Sequence, residues 1–527
     1  MDFHIYDTTL RDGAQQEGMN LSVADKLAIA RMLDALGVGF IEGGWPGAIP
    51  KDTEFFARAA AELRLEHAVL AAFGATRKAY KSAADDAQVQ ALLQAGTPVV
   101  TLVAKSDARH VERALRTTRG ENLAMIADTV ELLAGEGRRV FVDAEHFFDG
   151  YRFDPGYALE CLQTAAGAGA EVLVLCDTNG GMLPSRVFDI VAEVRGQVGA
   201  GIGIHCHNDT GCAVANTLAA VEAGAMHVQG TFNGYGERTG NADLTTVIAN
   251  LAIKYGQDAL PPGQLANLAS TAHSISEITN IAPFARQPYV GQSAFTHKAG
   301  LHASAIRVDP DLYQHTDPQL VGNDMRMLVS EMAGRASIEL KGRELGIDLT
   351  GADEIIGKVA DKVKELEARG YTFDAADASF ELLLRAELDG KRPEFFQIES
   401  WRTISETLGA GDGDTSSEAT VKLRAGGVRF VATGEGNGPV NALDAALRKA
   451  LLPVYPELNG IRLVDYKVRI LDSSSGTDAV TRVLIESSSG KESWRTVGVG
   501  TNIIEASWEA LTDALSYGLL HAAVAVR

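Results

Sequence analysis

Residues 167–178 read GAGAEVLVLCDT: a helical stretch closes on Gly169, and an unbroken apolar run follows that stops at Asp177 and Thr178. Glycine suits the position after a helix because it enters the left-handed region without a Cβ clash. The unbroken run suits a strand buried on both faces, as in a parallel sheet. The same phrase recurs around Gly37 (ALGVGFIEGG), Gly96 (QAGTPVVTLV) and Gly224 (EAGAMHVQGTF). Working outward from these points gives eight candidate strands, at residues 3–8, 39–43, 67–73, 98–104, 139–145, 171–177, 202–207 and 226–232. The first helix is marked by Ser22 as N-cap, Asp25 three residues on, and Leu27, Ala30 and Leu33 on one face. Eight strands alternating with helices across residues 1 to 250 predict an α/β fold, a closed (β/α)8 TIM barrel. A doubly wound open sheet is the rival, but no GxGxxG follows the first strand.

Beyond the barrel the pattern changes twice. Residues 271–390 are more polar and read as a helical linker subdomain, with a clear amphipathic helix in EIIGKVADKVKELEARG. From residue 391 the chain is β-rich and repeats itself. VRFVATGEGNGPVNALDAALRKAL and SWRTVGVGTNIIEASWEALTDAL align at an offset of 64, pairing Gly434 with Gly498, Gly436 with Gly500 and Leu447 with Leu511. Strands precede each copy, FFQIESWRTIS and EATVKLRA in the first, LVDYKVRIL and AVTRVLIES in the second. This predicts two βββα units in one α+β domain. The segment GDGDTSSE then reads as a loop between two strands, and the paired GEG and GVG segments as tight turns. The expected division is 1–270, 271–390 and 391–527.

The chain has 527 residues, 48 basic and 69 acidic, for a formal charge of −21. So acidic a surface repels phosphate backbones and anionic lipid, which argues against nucleic-acid and membrane partners. Four cysteines without CxxC spacing point to a reducing, cytoplasmic setting. The opening MDFHIYDTTLRDG has no basic region followed by an apolar run, so no secretory leader is expected. Nor is there an apolar stretch of the roughly eighteen residues that a membrane span needs.

The strongest local signal is GIGIHCHND at residues 201–209. Alternate residues of a strand share a face, so His205 and His207 point together while Cys206 points away. Two neutral imidazoles at a strand end can be metal ligands or merely a histidine pair. The context favours ligands, because polar residues gather at the same ends of the other strands. Arg11 and Asp12 follow the first, Glu42 lies on the second and Lys105 follows the fourth. Asp143 and Glu145 end the fifth, Asp177 and Thr178 the sixth, and Asn241 lies in the glycine-rich loop after the eighth. Barrel enzymes build their sites on that rim. Asp12 with two histidines suits Mg, Mn, Zn or Fe(II). Glu42 is equally readable as an ion-pair partner at the rim. His4, His67 and His227 lie within expected strands and read as fillers, and His297 as structural.

DTTLRDGAQ, the HCHND strand and GYGERTGNAD resemble the metal-dependent Claisen-condensing synthases that include 2-isopropylmalate, homocitrate and citramalate synthases. The resemblance spans essentially the whole chain. IEGGWPGAIPKD, DAEHFFDGY, FTHKAGLHASAI and VGVGTNIIEASWEAL are most similar to the long-form citramalate branch, which implies acetyl-CoA and pyruvate as substrates. It also implies a barrel, a linker and a C-terminal dimerising regulatory domain, a homodimer or higher oligomer, and isoleucine as effector. By resemblance, Asp12, His205, His207 and the Asn241 amide oxygen hold a divalent metal (Mn, Mg or Zn). Arg11 stabilises developing negative charge, Glu145 orients or relays a proton, and Thr178 meets the keto-acid carboxylate. His302 and Tyr313 of the linker match residues that complete the site, in relatives from the neighbouring subunit. Asp143 departs from the short-form synthases, which carry an aromatic residue there, so the keto-acid pocket does not carry over contact by contact. The alternatives are a 2-isopropylmalate or homocitrate synthase, an acyl-CoA lyase on the same barrel, and a non-catalytic metal-barrel binding protein. The duplicated tail counts against the lyase, and the complete polar set against the binding protein.

Overall fold

The computed structural model describes residues 3–407, 415–471, 476 and 478–525. Two compact units emerge, Met1–Phe295 with Thr316–Asp324, and Thr296–His315 with Met325–Arg527.

The first unit is a closed parallel barrel of β1 (His4–Asp7), β2 (Phe40–Glu42), β3 (Val69–Ala75), β4 (Val99–Lys105), β5 (Arg139–Glu145), β6 (Val172–Asp177), β7 (Gly201–Cys206) and β8 (His227–Gly230). Each strand pairs with the next, and β8 closes on β1 with His4 opposite His227 and Tyr6 opposite Gln229. The period of two sorts the apolar side chains into two cores. Tyr6, Phe40, Phe141, Val172 and Val174 point inward as one cluster, whereas Ile5, Ile41, Val140, Val142, Leu173 and Leu175 pack outward with the helices. Gly37, Gly96, Gly169 and Gly224 follow their helices with φ of 94°, 71°, 106° and 105°. Ser22 and Asp25 form a reciprocal capping box on the first helix, Val23–Leu36.

The third strand begins two residues later than expected. The Asp34 carboxylate accepts from the backbone N–H groups of Glu66, His67 and Ala68, at 3.0, 2.9 and 2.8 Å. These bonds hold the three residues as a turn, so His67 is exposed ahead of β3 rather than within a strand. His4 and His227 are fillers as expected. Their rings pack among Phe40, Tyr6 and Phe141, with centroids 4.8 Å (His4–Phe40), 5.0 Å (Tyr6–His227) and 5.4 Å (Phe40–Phe141) apart. Gly203 makes room for this stack, since a Cβ there would sit 2.9 Å from both His227 Cδ2 and Val174 Cγ2. Gly203→Ala is therefore expected to destabilise the barrel by ~1–3 kcal/mol through overpacking, read as a thermal midpoint lowered by several degrees in calorimetry.

The second unit begins with a short parallel pair, β9 (Thr296–His297) and β10 (Arg326–Met327), a feature the helical reading of this region did not include. Helices Gly300–Ile306, Arg335–Glu344, Asp353–Ala368 and Asp377–Leu388 also belong to it. Then come β11 (Phe396–Thr407), β12 (Thr415–Ala425) and β13 (Val428–Gly436) with helix Pro439–Leu451. The second copy is β14 (Arg462–Ile470), β15 (Thr481–Ser488) and β16 (Ser493–Gly500) with helix Ile503–Ala525. Each trio forms an antiparallel sheet, and Leu443, Leu447, Leu511 and Leu515 of the two helices share one core. Of the expected GDGDTSSE loop, residues 411–414 lie outside the described residues and 415–418 belong to β12. The paired glycines are strand residues rather than turns. A Cβ on Gly434 would lie 2.4 Å from Ala446 N, and one on Gly498 2.0 Å from Ala506 O, so both let the following helix backbone close onto its sheet. Among the described residues no helix is long and apolar enough to cross a membrane. Cys161, Cys176, Cys206 and Cys212 are free thiols.

Candidate active site and metal centre

The chain leaves β1 through a tight turn in which Arg11, Asp12 and Gly13 N–H groups all donate to Thr8 O, at 3.2, 2.9 and 3.0 Å. The turn is pinned from beneath. The Asp7 carboxylate accepts from Thr9 N at 2.9 Å and Thr9 Oγ1 at 2.8 Å, and Thr9 Oγ1 accepts from Phe232 N at 2.9 Å. Arg11 and Asp12 are thereby aimed over the barrel mouth.

Glu42, at the end of β2, is wholly buried and holds Arg11. Its carboxylate accepts from Arg11 Nε at 2.6 Å, Thr8 Oγ1 at 2.7 Å and Tyr6 Oη at 2.5 Å. The guanidinium lies 3.1 Å from Asp12 Oδ1 and 3.8 Å over the Phe73 ring. Burial opposes its charge, but Glu42 and Asp12 outweigh burial and hold Arg11 above its ordinary value. A permanent cation is thus fixed in orientation as well as in charge.

His205 and His207 extend from β7 on one face, rings 5.3 Å apart, as the alternation predicted. Their Nε2 atoms stand 3.2 and 3.7 Å from Asp12 Oδ2. These three side chains form a buried group whose donor atoms all lie within 4.8 Å of one another. Against the penalty of burial, Arg11 and the two imidazoles hold Asp12 well below the usual carboxylate range. Burial and the neighbouring His205 lower His207 to about 4, which leaves a neutral ring with a lone pair at pH 7. Burial alone would lower His205, but the hydrogen bond and charge of Asp12 raise it.

Asn241 lies on the glycine-rich loop and pairs with His207 through an isolated backbone bridge. Asn208 N donates to Gly240 O and Ala242 N to Cys206 O, both at 2.9 Å, which stitches the loop across the end of β7 beside His207. Gly236 has φ 147° and would place a Cβ 2.3 Å from Asn241 Nδ2, so a side chain there would push the amide aside. Asn241 Nδ2 donates to Tyr235 O at 3.0 Å, while Asn241 Oδ1 is buried without a partner. A buried acceptor left unsatisfied costs about 1–3 kcal/mol. Two imidazole nitrogens, a carboxylate and an orphaned amide oxygen are the donor set a divalent cation satisfies.

A cavity of about 670 Å³ opens here, lined among others by Arg11, Asp12, Phe73, Lys105, Asp143, Glu145, Thr178, His205 and His207. Glu145 accepts from the Lys105 ammonium opposite it on β4, and burial lowers the lysine. Thr178 Oγ1 accepts from His146 N at 2.8 Å, so its own hydroxyl proton remains for another acceptor. Asp143 is 4% exposed, and burial with the nearby Glu42 pushes its carboxyl up to about 7. His302 and Tyr313 belong to the second unit, where their rings stack at 4.1 Å, with His297 6.1 Å from His302. Cys206 faces the helix layer, packed in the outer core.

Two participants escaped the sequence reading or were left open by it. Glu42, readable either way, holds the arginine. Gln229 was not singled out, although alternation along HVQGT puts His227, Gln229 and Thr231 on one inward face.

The description HMGL-like matches residues 2–281, Homocitrate synthase post-HMGL domain-like matches 289–371, and LeuA allosteric (dimerisation) domain matches 374–519. An (R)-citramalate synthase of Streptomyces coelicolor is 65% identical over 523 residues, covering 99% of this chain and 98% of its own. The proteins of that name from Synechocystis and Aquifex aeolicus are 50% and 48% identical, each covering 98% of this chain, and 96% and 98% of their own lengths.

Proposed function

The chain belongs to the (R)-citramalate synthase family, and from that premise we propose that it condenses acetyl-CoA with pyruvate to give (R)-citramalate and CoA, as an acyltransferase. The observation that carries this reading is one cavity holding both the Asp12–His205–His207 group and an arginine locked by Glu42. A divalent cation (Mn, Mg or Zn) held by Asp12, His205, His207 and the Asn241 amide oxygen supplies, when bound, Lewis-acid polarisation of a ketone.

The chain's own residues do the rest. The Thr178 hydroxyl donates to the keto-acid carboxylate, and Asp143 forms part of the acceptor wall. His302, with Tyr313 stacked on its ring, takes a proton from the acetyl methyl group, and Glu145 orients or relays that proton. The C–H pair becomes an enolate, which forms the new C–C bond at C2 of pyruvate while the ketone π pair moves onto its oxygen, and that oxygen takes up the proton His302 removed. The Arg11 guanidinium stabilises the negative charge that develops on oxygen. Water then adds to the thioester, the C–S bond breaks and CoA leaves as the thiol.

Pyruvate is favoured because relatives 44–65% identical over nearly the whole chain are named (R)-citramalate synthase. A thiol-release assay with pyruvate, 2-oxoisovalerate and 2-oxoglutarate, with the product resolved by chiral chromatography, tests the proposal. We expect kcat/KM for pyruvate to exceed the others by about tenfold or more. A higher value with 2-oxoisovalerate would make the chain a 2-isopropylmalate synthase instead.

The remaining assignments follow the same premise. The division into a catalytic barrel (1–270), a linker (271–390) and a regulatory, dimerising domain (391–527) is supported by the three consecutive family matches. Isoleucine is proposed as the effector of the duplicated domain, where Asn437, Asn441, Leu463 and Tyr466 line a cavity of about 650 Å³. The protein is proposed to be at least a homodimer and, with its four free thiols, cytoplasmic.

A further inference from the structure

Gln229 stands on β8 directly opposite His205 on β7 and is wholly buried inside the barrel. Three neighbours occupy its amide. Oε1 accepts from His205 Nδ1 at 2.9 Å, and Nε2 donates to Asp143 Oδ1 at 2.9 Å and lies 3.5 Å from His227 Nε2.

The orientation of the amide follows from what those neighbours can offer. Asp143 Oδ1 accepts, and does so whether or not the other oxygen of that raised carboxyl holds a proton, so Asp143 takes the NH2 side. His227 Nε2 lies on the same side, 3.5 Å from the NH2 group. The acceptor on that side fixes the amide oxygen on the other, against His205. An amide oxygen cannot donate, so His205 Nδ1 carries the ring proton. Nε2, on the side of Asp12 Oδ2, is then the nitrogen left to bind a cation.

We propose that Gln229 is a positioning residue that fixes the tautomer and ring orientation of His205 for metal binding, with Asp143 fixing the orientation of the amide itself. The inference rests on the metal reading of the site. It also gives Asp143 a second task beside its place in the cavity wall: it holds a ligand's partner.

The test uses full-length protein freed of metal by chelation and titrated with Co2+, reading the dissociation constant by calorimetry and the visible d–d band of the bound ion. Gln229→Leu fills the space but bonds to neither neighbour. It is expected to weaken Co2+ binding by about 10–100-fold and to shift the band. The exchange Gln229→Glu with Asp143→Asn keeps the net charge and reverses the roles. The introduced carboxylate accepts from both His205 and the introduced amide, so affinity is expected to return to within about threefold of the unaltered protein. Binding by Gln229→Leu within twofold of the unaltered protein, with an unchanged band, would overturn the inference while leaving the metal reading intact. Failure of the unaltered protein to bind Co2+ would overturn both. Should Gln229→Leu not fold, as judged by circular dichroism, the exchanged pair decides: retained affinity supports the role, and a loss of tenfold or more overturns it.

Discussion

His207→Ala is expected to lower kcat by about 10³-fold or more while the far-ultraviolet circular dichroism stays that of the unaltered protein. The proposed Lewis acid supplies several kcal/mol at the transition state, and each 1.36 kcal/mol is worth a factor of ten. His207 supplies one of the two imidazole nitrogens that stand near Asp12 Oδ2. Cys206, the adjacent side chain, points into the outer core. The fold does not depend on this ring. Its Nδ1 is buried without a partner, and burial keeps it neutral, so its removal breaks no hydrogen bond at that atom. Steady-state CoA release measured across added Mn2+ checks the claim. Turnover that matches the unaltered enzyme at ordinary metal concentration would remove His207 from the ligand set.

Arg11→Gln is expected to cost about 10²–10³-fold in kcat, the usual loss when a preorganised group facing developing negative charge is removed. Metal affinity should change far less, because Arg11 touches only the outer oxygen of Asp12, Oδ1, while Oδ2 faces the histidines. Arg11→Lys is expected to rescue little. Glu42 receives Nε and Asp12 faces the other arm of the guanidinium, and a single ammonium cannot hold both directions while lying flat on Phe73. The variant also leaves a buried Glu42 with its cationic partner missing, so some loss of stability accompanies the loss of rate. Calorimetric Mn2+ titration beside kinetics separates the two effects. Equal loss of metal binding and rate would mean that Arg11 acts by shaping Asp12 rather than by meeting the reacting oxygen.

The barrel was legible because its punctuation is local. Each of the four glycines that ends a helix sits at positive φ, a conformation the sequence declares by residue type alone. The third strand shows where local reading stops. HAVLAAF reads as strand from His67, yet Asp34, more than thirty positions earlier, captures the N–H groups that would have begun it. The paired tail glycines carry the same lesson. Their spacing suggested turns, but their purpose is contact with a helix eight to twelve residues further on.

At the site, His205, His207 and Asp12 could be found because imidazoles at alternate positions and a carboxylate on the same rim announce themselves by chemistry. Gln229 could not be singled out, since one glutamine in an apolar strand says nothing until β8 is set beside β7. Only that pairing puts its amide against His205 and, across the barrel, against Asp143. Glu42 likewise needed the fold of the β1 turn, which brings Tyr6, Thr8 and Arg11 onto one carboxylate.

The central claim is that Asp12, His205, His207 and Asn241 together hold the catalytic cation. Crystals of the chelated protein soaked in Mn2+ and measured at the manganese absorption edge test it most directly. One anomalous peak is expected in the barrel mouth of each chain, roughly 2.0–2.3 Å from Asp12 Oδ2, His205 Nε2, His207 Nε2 and Asn241 Oδ1. A peak bound elsewhere in the cavity, or one at the histidines with Asn241 Oδ1 turned away, would contradict it.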